Sequence, residues 1–144
     1  MRKNLLATLL ACLALGGTTL HATTLYWSGD GTTQGGPGTW NTTLARWGTS
    51  TSGPFTTVWN NANTDSAIID NGTGAGGSIV IGAAITMRGT LTLNGSGGTY
   101  PAYTINGASA MTFAAGSTLT TAMNRSLNCP YSGTITKALS LIHI

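Results

Sequence analysis

The sequence predicts an all-β protein: a Trp-rich N-terminal cap followed by the first coils of a right-handed parallel β-helix, with a β-sandwich as the alternative. Three observations lead there. Apolar residues alternate with Thr, Ser or Asn in short pieces throughout the second half, the period-2 pattern of half-buried strands. No stretch after the first two dozen residues repeats its apolar positions at helical spacing. From Ser78 to Ala138 the only charged residues are Arg88, Arg125 and Lys137. Stacked coils bring equivalent side chains within about 4.8 Å of one another, where like charges repel and Thr, Val, Ile and Asn do not.

Residues 1–22, "MRKNLLATLLACLALGGTTLHA", have the layout of a secretory signal peptide. Arg2 and Lys3 form the positive start, and Leu5 to Leu15 the apolar stretch, too short to span a bilayer. Cleavage is placed after Ala22, which makes Thr23 the new N-terminus. A lipobox ending at Cys12 is the rival, but the apolar run continues past it to Leu15.

Cleavage changes the charge argument. The whole chain carries +3. Without Arg2 and Lys3, four cations (Arg46, Arg88, Arg125, Lys137) face three Asp (Asp30, Asp65, Asp70), a net of +1. The cations are scattered, so nothing resembles the clustered basic face of a nucleic-acid binder. Nucleic acid is therefore not among the expected partners.

Residues 23–77 form the cap region and hold all four tryptophans, Trp27, Trp40, Trp47 and Trp59, about a dozen residues apart. Turn-forming stretches such as "GDGTTQGGPGT" separate them. Short strands whose indoles share one small core fit this spacing, since each buried aromatic covers roughly 150–250 Å². The functional alternative is a glycan-contacting platform made by the same four residues.

Residues 78–138 read as the start of the β-helix repeats. "SIVIG", "AITM", "GTLTLNG", "YTING", "AMTF", "STLTT" and "GTITK" give strand centres near 80, 92, 105, 112, 119, 127 and 135. Asn71-Gly72, Asn94-Gly95 and Asn106-Gly107 mark tight turns between them. A stack of coils needs its ends closed, because an open end exposes strand edges and apolar core. The Trp-rich segment lies where such a closure would lie.

Little of this chain can do chemistry. Past residue 22 it has no Glu, one Cys (Cys129) and one His (His143). With His143 discounted as part of the aberrant last six residues, no His remains for a Ser-His-Asp or Cys-His arrangement, and a zinc site lacks ligands. No catalytic, cofactor-binding or metal residue is assigned. Asp65 and Asp70 are the close carboxylates, but the strand-like "SAII" between them points them to opposite faces, and each reads as a turn residue. Asp30 in "SGDGT" suggests a Gly-rich turn; one Asp is poor support for calcium. "GTGAGG" (Gly72–Gly77) fits a phosphate-loop pattern only formally, because a strand follows where a helix is needed. Cys129 reads as a small buried residue.

The elements "LYWSGDGT", "GGPGTWNTT", "ARW", "VWNNANTDSAIIDNGTGAGGSIVI", "AITMRGTLTLNG" and "YTING", in this order from Leu25 to Gly107, resemble the autotransporter-associated β-strand repeat proteins. That resemblance implies an exported, non-enzymatic β-helical passenger from a bacterium, usually much longer, displayed at the cell surface or secreted, with a structural or adhesive role. Its expected partners are extracellular polysaccharide or other cells, besides the export machinery met by the signal peptide. The alternative is an extracellular polysaccharide-binding or polysaccharide-active protein whose active part lies downstream.

The last six residues, "LSLIHI" (Leu139 to Ile144), break the Gly/Thr composition and resemble a translated sequencing adapter. They are expected to be a non-native tail on a truncated fragment, and His143 is expected to carry no function.

Overall fold

The computed structural model describes residues 22–69, 76–93, 103–121, 125–138 and 142–143. Within them every regular element is a strand. The reading of residues 1–21, and those of Asp70 and the Asn71-Gly72 and Asn94-Gly95 turns, lie outside the described residues.

The strands form three sheets. The first contains β1 (Thr24–Trp27), β5 (Ser66–Ile69), β8 (Thr90–Leu93), β11 (Thr118–Thr121) and β14 (Thr136–Ala138), paired in that order and all parallel. The second runs β2 (Gly38–Trp40), β6 (Gly77–Ile81), β9 (Tyr103–Asn106), β12 (Arg125–Leu127) and β15 (Ile142–His143). The third runs β7 (Ile85–Met87), β10 (Met111–Phe113) and β13 (Tyr131–Gly133). From β5 onward each strand pairs with the one three later, so the chain visits the three sheets in turn and returns one rung higher. This is the parallel β-helix; a sandwich would instead be built from antiparallel strands. On the outer side of β1 the order changes. There β3 (Ala45–Gly48) and β4 (Thr57–Val58) add antiparallel.

Alternation on the strands builds the core. Leu25, Ala67, Leu91 and Leu119 are register partners down the first sheet, and all are buried. Ile79, Ile105 and Leu127 form a second inward column. Ile85 with Met111 and Met87 with Phe113 line the third sheet. Complete burial of one such side chain is worth roughly 1.5–3 kcal/mol of transfer free energy, and stacking lets every coil bury both faces of its apolar layer.

The corners differ in length. Between the first and second sheets the connectors run 28–37, 70–76, 94–102 and 122–124, whereas those at the other two corners take two to four residues. At the short Asn106–Gly107 corner Gly107 has φ +131°, and a Cβ there would press on the Ile81 backbone. Glycine is required on both counts.

Two details depart from the sequence reading. β13 was not anticipated, because "PYSG" shows no alternation of apolar and polar residues. The strand centred near 135 lies slightly later, at β14. The two-residue corner Thr134–Ile135 places Lys137, not Ile135, in register with Leu119.

Candidate functional site

The four tryptophans form one cluster under the outer end of the stack. Trp27 and Trp47 are cross-strand partners on β1 and β3, Trp40 ends β2, and Trp59 follows β4. Ring centroids lie 4.8 Å apart for Trp40–Trp47, 5.0 Å for Trp40–Trp59, and 5.2 Å for both Trp27–Trp47 and Trp47–Trp59. Trp27–Trp47, Trp40–Trp47 and Trp40–Trp59 pack edge to face, the arrangement that the ring quadrupole favours. Trp27 Nε1 donates to Gly36 O at 2.9 Å and Trp59 Nε1 to Asn61 Oδ1 at 3.1 Å. Trp40 Nε1 and Trp47 Nε1 have no acceptor atom in reach.

All four indoles are at most 1 % exposed. A sugar stacks on an open ring face, and none of the four presents one. Their packing is the core alternative, and it gives no support to glycan contact through Trp27, Trp40, Trp47 or Trp59.

Asn61 joins this cluster to the coils. Its Oδ1 accepts from Trp59 Nε1 and, at 2.8 Å, from Thr86 N; its Nδ2 donates to Ala84 O at 3.0 Å. Arg88 Nε donates to Asn61 O at 2.9 Å. The side-chain amide thus does for the first strand of the third sheet, β7, what a neighbouring strand would do. Nothing in the spacing of "WNNANTD" reveals this, since the partners lie 23 and 25 residues away. Beside it an open groove of about 540 Å³ is lined by Thr42, Val58, Trp59, Asn60 and Asn61. Its lining is uncharged.

Asp30 is the turn residue expected. Its Oδ1 accepts from Thr32 N, Thr33 N and Ser28 Oγ at 2.7–2.9 Å. The Thr33 and Thr32 amides, in that order, hold the carboxyl well below the usual carboxylate range. Asp65 departs from expectation. It is 4 % exposed, and its Oδ1 accepts not from its own turn but from Thr23 N, 42 residues away, at 2.9 Å. Asn63 Nδ2 donates to Oδ2 at 3.0 Å. Past the Gly-rich stretch ending at Gly77 the chain continues as β6, a strand, so a helix N-terminus for phosphate is missing there. Cys129 is buried, and desolvation pushes its thiol pKa up. His143 lies in β15, whose backbone pairs with β12.

The outward positions carry files of hydroxyls. Thr90 and Thr118 are register partners on the first sheet, and Thr86, Thr112 and Ser132 on the third. Ser132 Oγ donates to Thr112 Oγ1 at 3.3 Å. Among the described residues no group of three or more His, Cys, Asp or Glu is placed to hold a metal, and no helix is long and apolar enough to cross a membrane.

Comparison with known proteins adds a relative. The chain is 39 % identical over 93 residues to the "Adhesin BmaC autotransporter" of Brucella suis biovar 1 (strain 1330). The matched region is 61 % of this chain and 2 % of that protein. No family model and no solved structure matches. The chain is thus similar to a small part of a much longer autotransporter adhesin.

Proposed function

We propose that the chain is part of an exported, non-enzymatic passenger, displayed at the bacterial cell surface or secreted, with a structural or adhesive role. The observation that carries this reading is the 39 % identity to an autotransporter adhesin over 61 % of the chain. The architecture supports it: a parallel stack extends by adding equivalent coils, which suits a long surface projection. The relative's length supports the further reading that the present sequence is the head of a longer passenger with residues 23–77 as its cap. A long-read sequence of the locus past the Ala138 codon tests this; continuation into Gly/Thr-rich strand repeats is expected, and a native stop after Ile144 would refute it.

Antibodies raised against the Trp-rich segment test display. Intact producing cells, or their culture medium, are expected to carry the epitope, with cell-bound signal lost on external protease treatment. Signal confined to lysed cells would exclude the proposal. Adhesion is tested by comparing a deletion strain with its parent on host cells and on abiotic surfaces.

A second reading, extracellular polysaccharide binding, draws on the uncharged groove beside Asn60 and Asn61 and on the outward hydroxyl files. Glycan-array binding to neutral polysaccharides, lost on Asn60→Ala, is its expected outcome. No binding across the array would remove it.

A further inference from the structure

We infer that processing of the exported chain between Ala22 and Thr23 creates an ion pair: the freed α-ammonium of Thr23 with the buried carboxylate of Asp65. The inference rests on the export reading and on four structural observations. Thr23 N lies 2.9 Å from Asp65 Oδ1. Asp65 is 4 % exposed, and its two donors among the described residues, the Thr23 amide and the Asn63 amide, are neutral in the unprocessed chain. Thr23 is half-buried, which holds its nitrogen against the carboxylate. Finally, Thr23 leads directly into β1 and Asp65 into β5, strands paired from Thr24 and Ser66 onward, with Ser66 N also donating to Thr23 O at 2.9 Å.

The chemistry is amide hydrolysis by a signal-peptide-removing peptidase, with water as co-reactant. The Ala22 C–N bond breaks, and water supplies OH to the Ala22 carbonyl carbon and a proton to the Thr23 nitrogen. At neutral pH the new amine takes up one more proton from solvent, because an α-amino group titrates near 8. A donor with one hydrogen becomes a cation with three, at the same atom and facing the same carboxylate. Before cleavage the buried carboxylate has only hydrogen bonds to offset its lost hydration; afterwards it has a counter-charge. The ammonium is not itself deeply buried, so its own desolvation cost is smaller than for an internal ion pair. The pair would fasten the first two parallel strands of the stack only once the leader has gone.

The test is a double-mutant cycle on the full mature chain. One preparation begins at Thr23, made by a protease that leaves a free Thr amine. A second begins at Ala22, which moves the ammonium one residue away and restores an amide at Thr23. Each is made with Asp65 and with Asp65→Asn. With Asp65 present, the chain starting at Thr23 is expected to have a folding constant roughly twofold to fivefold larger, the scale of an ion pair with one partner open to solvent. With Asp65→Asn the two starts should be equal. If Asp65→Asn does not fold, Nα-acetylation of the Thr23 start takes its place and should abolish the gain. Equal stability of the two starts with Asp65, or a gain that survives Asp65→Asn or acetylation, would overturn the pairing. Mass spectrometry of the exported protein is a separate arm: an N-terminus at Thr23 is expected. Any other start overturns the processing step, whatever the cycle shows, and failure to find the chain outside the cell overturns the export reading itself.

Discussion

The Trp-rich segment and the coils that follow it solve the same burial problem by opposite means. The coils repeat: each inward position has an equivalent above and below, as in the Leu25, Ala67, Leu91, Leu119 column, and backbone pairing supplies most of the polar bonding. The Trp-rich segment has no such equivalence. Its core is four edge-packed indoles, its strands turn antiparallel, and its polar bonds reach far along the chain. Gly36 N donates to Tyr103 Oη at 3.0 Å, 67 residues away, and the Asn61 amide takes the place of a strand beside β7. A stack can be extended by copying a coil, but an end cannot be copied. It must satisfy edges and apolar surface that the next coil would otherwise cover, and that demands residues with one role each.

Substitutions should break this contrast unequally. The largest effect is expected at Trp47, which contacts the other three indoles. Trp47→Ala should cost roughly 3–5 kcal/mol, enough to remove cooperative melting from a marginal domain. A sigmoidal melt near that of the parent would show that the indole cluster is not what holds the end. Next comes Asn61→Ala, which leaves Thr86 N and Trp59 Nε1 without their acceptor. Each buried donor so orphaned costs about 1–3 kcal/mol, and hydrogen exchange should accelerate first at β7 rather than at β10. Thr112→Val, in an equivalent sheet but on its outward face, should move the denaturation midpoint hardly at all.

A smaller effect concerns Asp30. Its folded pKa is depressed from 3.8, so its contribution is complete above that value and is lost as pH falls through the lower folded pKa. Asp30→Asn should therefore lower stability slightly at neutral pH and flatten the acid limb below pH 3.8, so that the two stability curves converge as pH falls. The smallest concerns Cys129. Its buried, protonated thiol should react with a thiol reagent only at the rate of global or local opening, and labelling should match that of unfolded chain once denaturant is added.

The coils were legible because alternation is a local property. "GTLTLNG" announces Leu91 and Leu93 as buried partners without reference to anything else, and Asn106-Gly107 announces its own turn. The all-β class and the parallel stacking follow from that pattern and from the missing charge. What the residues do not show by themselves is any contact made once. Asn61 and Asp65 look like loop polars in "NNANTDS"; their roles depend on Thr86 and Thr23, which only folding brings near. The burial of all four indoles was likewise beyond pattern, because spacing fixes neighbourhood and not exposure. Lys137 shows a further limit. Ile135 packs against the core, as alternation suggests, yet it does so from a corner, and the backbone register of β14 sets Lys137 opposite Leu119.

The unequal corners have a consequence for how such a chain can vary. Three consecutive connectors between the first and second sheets span ten, seven and nine residues, and their counterparts at the other two corners never exceed four. Length change at that edge leaves the inward columns in register, since loop closure cost grows only slowly with length. One edge of the prism can therefore drift in size and composition while two stay fixed. A foreign epitope or affinity tag inserted between Leu93 and Tyr103 would be carried along that edge, and serial insertions in successive coils would line up as a single ridge.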